Sequence, residues 1–126
     1  MSKLSAGIVA AVVALAVALA AAPAGVAKNG DVRVRGTCTK SSTSKLKLSE
    51  EDGRIEVEFE VDQNRNGVRW RVVLFRNGAQ VASRVRVTRA PSGSFEARFV
   101  STGSGRFVAR ATSPTGERCT ARASMA

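Results

Sequence analysis

From Asp31 to Ala123, short runs of residues alternate between apolar and polar side chains, and turn-forming residues separate the runs. The clearest run is Arg54–Asp62, where Ile55 and every second residue after it are apolar. A β-strand turns successive side chains to opposite faces, so this period of two is typical of strands that bury only one face. Residues 28–126 contain no segment with a helical period. We therefore predict an all-β domain.

Turn signals divide the domain into seven or eight short strands. The predicted strands are Asp31–Cys38, a short one marked by Leu46 and Leu48, Arg54–Asp62, Val68–Arg76, Ala79–Arg89, Ser94–Val100, Arg106–Ser113 and Glu117–Ala123. The strongest hairpin signal is Asn77–Gly78, because a two-residue type I′ turn needs positive φ at both positions. Strands of this number and spacing predict an antiparallel sandwich.

The first 27 residues have the composition of a helical secretory signal peptide. Lys3 supplies a positive charge, and Ala6–Ala22 is an unbroken run of alanine, valine, leucine, isoleucine and glycine. Small residues follow, and cleavage is expected after Ala24 or Ala27. A membrane anchor is the alternative, but a spanning helix needs about 20 strongly apolar residues, and this run is shorter and mostly alanine. We expect residues 28–126 to be a single secreted, extracellular domain.

Cys38 and Cys119 are the only cysteines in the chain. Because export leads to an oxidising compartment, we expect a disulfide between them, with two free thiols as the alternative. The bond would close a loop of about 80 residues, which contributes roughly 4 kcal/mol in the chain-entropy model. That is a large share of the ~5–15 kcal/mol that stabilises a typical domain.

The composition argues against an enzyme. The chain contains no histidine, which excludes catalytic triads and metal sites built on imidazole. Both thiols are expected in the disulfide. Glu56, Glu58 and Glu60 share one face of their predicted strand, and such a ladder is typical of a solvated surface. We expect no catalytic residues, no metal, no cofactor and no small-molecule substrate.

Two segments resemble an immunoglobulin-like domain. Trp70–Gly78 resembles the C strand and the turn after it, while Gly105–Ala111 and Pro114–Glu117 resemble the F strand and the F–G hairpin. After the leader, the chain is similar to small, uncharacterised secreted proteins of actinobacteria with an immunoglobulin-like or fibronectin-III-like sandwich. Phe107 stands where many such domains have a tyrosine, and the cysteines lie on the first and last strands. The resemblance implies that these strands are neighbours, and it implies no chemistry.

The charge is concentrated in the second half of the chain. The whole chain carries +10. Residues 28–62 contain seven basic and eight acidic residues, whereas residues 63–126 contain twelve arginines, no lysine and two glutamates. The excess charge is therefore carried by arginine, whose planar fork binds phosphate and carboxylate in a bidentate manner.

The resemblance implies that the C′, C, F and G strands form one sheet, and alternation then places eight arginines on its outer face. These anion-binding candidates are Arg69, Arg71, Arg84, Arg86, Arg106, Arg110, Arg118 and Arg122. The other sheet would carry a mixed, self-neutralising set of charges. We predict a binding module for an anionic polymer, such as a cell-wall polymer, an acidic polysaccharide or extracellular nucleic acid.

Other interpretations stay open at this point. The arginines could serve only solubility, or the basic sheet of one copy could meet the Glu56–Glu60 face of another in a structural assembly. An inhibitor or toxin could use an exposed loop such as Asp62–Gly67. If Arg54–Asp62 and Val68–Arg76 formed a simple hairpin, Glu60 would lie opposite Arg69 and Glu58 opposite Arg71. The charges of these two arginines would then be structural.

Overall fold

The computed structural model describes residues 30–126, which form two antiparallel sheets. The strands are β1 (Val32–Arg35), β2 (Thr37–Cys38), β3 (Thr43–Glu51), β4 (Arg54–Asp62), β5 (Arg69–Arg76), β6 (Ala79–Val87), β7 (Ser94–Ser101), β8 (Gly105–Thr112) and β9 (Arg118–Met125). One sheet has the order β1-β3-β4-β7, and the other has the order β2-β9-β8-β5-β6. The described residues contain no helix, and hence none that could cross a membrane.

The all-β prediction is confirmed, and the two sheets enclose one core. From β4, Val57, Phe59 and Val61 point inward, and from the other sheet Trp70 does so; all four side chains are fully buried. Burying a large apolar side chain contributes about 1.5–3 kcal/mol. The indole Nε1–H of Trp70 donates a hydrogen bond to Gln63 Oε1 at 3.1 Å, which satisfies its polar group. The predicted signal peptide and its two cleavage points lie outside the described residues.

Gly36 divides the predicted first strand into β1 and β2, which belong to different sheets. Its N–H donates to the Ser44 carbonyl oxygen at 2.9 Å. A Cβ at this position would lie 2.7 Å from the carbonyl oxygen of Thr120, so only glycine allows the backbones to approach so closely. The prediction of one continuous strand over Asp31–Cys38 was wrong, because alternation does not reveal where a chain changes sheet.

The disulfide prediction is confirmed. Cys38 of β2 lies directly opposite Cys119 of β9, and the two sulfurs are bonded. β2, the second part of the predicted first strand, and β9, the last strand, are therefore neighbours. Cys119 is fully buried and Cys38 is half-buried, so the bond links two neighbouring strands of the five-stranded sheet on its inner side.

Two tight hairpins join neighbouring strands of the sheets. Asn77 and Gly78 have φ values of 51° and 88°, as the predicted type I′ turn requires. The same geometry recurs at Asp52 and Gly53, with φ values of 54° and 79°. This second turn allows β3 to pair along its whole length with β4. β3 is therefore much longer than the short strand that the sequence predicted.

The connection between β4 and β5 crosses from one sheet to the other. β4 pairs with β3 and β7, whereas β5 pairs with β6 and β8. Glu60 consequently stands opposite Lys45 and Glu96, far from any register with Arg69. The simple-hairpin alternative is wrong, and the arginines of β5 keep their charge available.

Candidate anion-binding face

Three neighbouring strands, β9, β8 and β5, carry arginines on the side of their sheet that faces away from the core. In β8, Phe107, Ala109 and Ala111 are fully buried, so Arg106 and Arg110, which alternate with them, point outward. The same alternation holds in β9 and β5. We call this outer surface the basic face. Its arginines, all exposed, are Arg69, Arg71, Arg106, Arg110, Arg118 and Arg122.

The register of the sheet keeps these charges apart. Arg122 stands opposite Val108, and Arg118 stands opposite Thr112. From the other side, Arg71 also stands opposite Thr112. Like charges directly opposite each other destabilise a sheet, and in these strands each arginine of the basic face faces an uncharged residue instead. The face can therefore gather positive charge without opposing pairs.

The basic face has no carboxylate partner within residues 30–126. Every ion pair in this part of the chain involves Asp31 or the outer face of the four-stranded sheet. Beyond residue 62 the sequence contains two glutamates, Glu96 on β7 and the buried Glu117. The first 29 residues contain no aspartate or glutamate. The arginines of the face thus form no ion pair among the described residues.

One aromatic ring on this face is already engaged. The Arg110 guanidinium lies over the Phe75 ring, 5.2 Å from its centroid. A cation–π contact at an exposed site contributes about 0.5–1 kcal/mol and orients the arginine. The ring is half-buried, so it offers no open platform of the kind on which single-stranded nucleic acids stack their bases. Phe75 therefore adds no open stacking surface to the positive charge of the face.

Arg84 and Arg86 do not belong to the basic face, and this part of the site prediction was wrong. The register of β6 places Arg84 opposite Val72 and Arg86 opposite Trp70, both of which point into the core. The valine of β6 that the sequence pattern turned inward, Val85, is instead 42% exposed on the outer side. Because β6 is an edge strand, its inward side opens onto solvent and accepts charged residues.

These two arginines occupy the open edge between β6 and β7. The Arg84 guanidinium lies 4.8 Å from the centroid of the Phe99 ring. Arg86 Nε–H donates to the Glu96 carbonyl oxygen at 3.3 Å. Inward-pointing charges on an edge strand hinder another strand from pairing with it. We assign Arg84 and Arg86 to protection of this edge.

The outer face of the four-stranded sheet neutralises itself, as the sequence predicted. One row runs across the sheet from Lys47 through Glu58 to Arg98. Glu58 accepts ion pairs from Lys47 at 3.9 Å and from Arg98 at 3.6 Å. Arg98 also reaches Glu56 at 3.6 Å and Glu96 at 3.5 Å. These glutamates are occupied by neighbouring cations and form a solvated ladder.

One carboxylate of this ladder, that of Glu96, has a raised pKa. Partial burial raises the pKa of Glu96 above its ordinary value, and its hydrogen bond with Glu58 and the repulsion from that carboxylate raise the pKa further. The Arg98 guanidinium lowers the pKa of Glu96. The Glu60 carboxylate, which stands directly opposite Glu96 on β4, raises it. A raised pKa means that the folded state binds the proton more tightly than the unfolded chain.

The variant Glu96→Gln should therefore be more stable than the parent protein at neutral pH. The stabilisation that protonated Glu96 gives is present below pH 4.5 and is lost as the pH rises through the raised pKa. The advantage of the variant should thus disappear in acid. Urea unfolding at a series of pH values measures this. Glu56→Gln, whose position lies opposite Ser49 and Val100, is the control and should show no such gain.

Glu117 is a buried residue that the sequence pattern did not single out. Its side chain is 3% exposed. Oε2 accepts hydrogen bonds from the N–H groups of Lys40 at 3.2 Å and Ser42 at 2.9 Å, and Oε1 accepts one from Ser42 Oγ at 2.8 Å. The carboxylate therefore fixes the loop after β2. It lies beside Cys38 and Cys119, but their sulfurs are joined and offer no thiolate to a metal.

A scan against protein-family models, a search of curated proteins and a search of solved structures each found no match to this chain. The function proposed below therefore depends on the geometry and charge of the chain itself.

Proposed function

We propose that this protein is a secreted, non-catalytic binding module that adheres electrostatically to an anionic extracellular or cell-wall polymer. The observation that carries the proposal is the basic face: exposed arginines on three adjacent strands, with no carboxylate partner among residues 30–126. Each phosphate that an arginine neutralises releases a condensed counterion, so binding of this kind is strong at low salt and weak at high salt.

Export is part of the proposal. The leader-like composition of residues 1–27 supports it, and the Cys38–Cys119 disulfide suits an oxidising compartment. An immunoglobulin-like architecture, as in small secreted proteins of actinobacteria, is supported by the order β9-β8-β5-β6, which corresponds to G-F-C-C′. The pattern differs in the other sheet, where β3 lies between β1 and β4.

Self-association is the weaker alternative. It would require the basic face of one copy to meet the glutamates of β4 in another. Those glutamates already pair with Lys45, Lys47 and Arg98 at 3.4–3.9 Å. A second copy would have to displace these internal partners, so its arginines would gain little. A free polyanion has no such competing partners.

Charge reversal on the face tests the proposal. The face variant replaces Arg69, Arg71, Arg106 and Arg110 with glutamate. Loss of four phosphate contacts should make the slope of log K against log salt shallower by roughly 3 to 4 units. We therefore expect the oxidised parent protein to be retained on a polyanion column until high salt, and the variant to elute near physiological salt.

A variant with the same total charge change is the control. It replaces four exposed arginines outside the basic face with glutamate, namely Arg35, Arg54, Arg65 and Arg89. This control should keep most of the retention of the parent protein. Equal losses in both variants would show that net charge alone is responsible, and the basic face would then have no special role.

A further inference from the structure

The arginines of the basic face form a line. Along β8 and β9 the register places Arg106, Arg122, Arg110 and Arg118 in succession, alternately on one strand and the other, with two residue positions between steps. With a strand rise of ~3.3 Å per residue and a strand spacing of ~4.8 Å, neighbouring Cα atoms in this series are about 8 Å apart. We call this series, with its continuation on β5, the arginine line.

β5 extends the line at one end. Arg71 stands level with Arg118, because both lie opposite Thr112. Arg69 lies two positions further along β5 in the same direction. From Arg106 to Arg69 the line covers about 26 Å along the strands, at ~3.3 Å per residue. The line is thus several times longer than the distance between two neighbouring strands.

An apolar group lies beside the line on the same face. Val73 and Phe75 on β5 are half-buried, and Val81 and Val85 on β6 are 48% and 42% exposed. Val108 completes this group from β8, where it stands opposite Phe75. Positive charge therefore does not spread over the sheet in two dimensions. A planar charged surface would match only part of this face, whereas a chain lying along the strands would match the whole line.

The repeat of the line matches one kind of polymer. Two residues of an extended strand contain six backbone bonds and span about 7 Å. A polymer with six backbone bonds from one phosphorus to the next, as in glycerol phosphate chains and single-stranded nucleic acids, has a similar repeat when extended. Inorganic polyphosphate places its charges much closer together, and polymers of charged disaccharides place them further apart.

We infer that the basic face binds a linear phosphodiester polymer, extended along the strands with one phosphate at each of the five levels of the line, since Arg71 and Arg118 share one level. The inference rests on the proposed function and narrows its ligand. The guanidinium groups bind the phosphates in a bidentate manner. The valines beside the line are uncharged, so they do not draw the phosphates away from it. The polymer's source, a cell-wall chain or a nucleic acid, is separated by the test.

The test measures binding as a function of oligomer length and salt. The probes are thymidine oligonucleotides carrying from about two to about twelve phosphates, with a slope of roughly −0.7 per phosphate contacted on a single strand. For the full oxidised chain, the slope should steepen with length until about five phosphates are engaged, near −3.5, and then stay constant. A glycerol phosphate polymer should give the same limiting slope, since it shares the six-bond repeat and lacks bases.

Single substitutions test the line itself. Arg122→Ala, in the middle of the line, should make the limiting slope shallower by about 0.7. Arg84→Ala is the matched control: this arginine is also exposed and on the same sheet, but it lies at the β6–β7 edge. It should leave the slope unchanged. Equal effects of both substitutions would overturn the inference.

The remaining outcomes separate the inference from the proposed function. A slope that is independent of length, or stronger binding to inorganic polyphosphate, would overturn the line while leaving a general anion-binding face. Tighter binding to phosphatidylglycerol vesicles, abolished by Val81→Ser, would replace the polymer with a membrane surface. Absence of salt-dependent binding to any of these probes would overturn the proposed function as well. A nucleic-acid source is favoured only if oligonucleotides exceed the glycerol phosphate polymer in affinity.

Discussion

Replacing both Cys38 and Cys119 with alanine should lower the free energy of unfolding by about 4 kcal/mol. The disulfide joins residues 81 positions apart and closes almost the whole described domain into a loop. Its loss returns that loop entropy to the unfolded chain. Alanine is the suitable replacement because Cys119 is fully buried, where a serine hydroxyl would lack a partner.

The structure adds a local consequence. β2 has only two residues, and both pair with β9. Without the disulfide, this short strand should fray before the rest of the sheet opens. Urea unfolding followed by the fluorescence of Trp70, the only tryptophan, measures the global change. The reduced parent protein should unfold at the same urea concentration as the double variant, and a midpoint unchanged by reduction would contradict the expectation.

Glu117→Ala should be the most damaging single substitution outside the apolar core, with a loss of roughly 3–5 kcal/mol. The carboxylate accepts three hydrogen bonds in a buried position, from the N–H groups of Lys40 and Ser42 and from Ser42 Oγ. Alanine removes all three acceptors at once, and the buried donors of Ser42 are left without a partner.

Glu117→Gln is the matched control for this prediction. Its amide oxygen can still accept from the two N–H groups, and its amide nitrogen can donate to Ser42 Oγ, so a loss near 1 kcal/mol is expected. The ranking of the two variants in urea unfolding is the measurement. Because Glu117 adjoins the disulfide, its effect should not be additive with the loss of that bond. Equal stability of the alanine and glutamine variants would contradict the hydrogen-bonding role.

The two sheets differ in how their surface charges are paired. The four-stranded sheet pairs its own charges, as Lys47, Glu58 and Arg98 do. The five-stranded sheet gathers arginines that have no carboxylate partner among the described residues. Net charge alone would not produce this division, because it requires the two glutamates of the second half to lie elsewhere. Glu96 is on the other sheet and Glu117 is buried.

The predicted strand pattern was correct wherever one face of a strand packs on the core. In β4, β8 and β9, buried and exposed residues alternate as the sequence indicates, and Arg106, Arg110, Arg118 and Arg122 point outward. The alternation of apolar and polar residues predicts the buried side chains there, because packing on the core requires the same period of two. The Asn77–Gly78 turn was predictable for a similar reason, since its backbone angles are a property of the two residues.

The pattern failed at the edges of the sheets. On β6, valines and arginines alternate, and the sequence alone turns the valines inward. The structure turns Arg84 and Arg86 inward instead, because the pairing shifts by one residue between Leu74 and Phe75, and this irregularity reverses the alternation that the Asn77–Gly78 turn begins. The inner side of an edge strand is open to solvent and accepts these charges. The change of sheet at Gly36 was also missed, because it depends on the close approach of Ser44 and Thr120, which local alternation does not reveal.

The strand content, the disulfide and the concentration of arginine in the second half of the chain could all be predicted from the amino-acid sequence, because they follow from composition and from local alternation. Which strands are neighbours, and so which arginines share a surface, became clear only from the three-dimensional fold. That choice depends on contacts between residues far apart in the chain, such as Cys38 with Cys119 and β4 with β7. The arginine line exists because β5, β8 and β9 lie side by side.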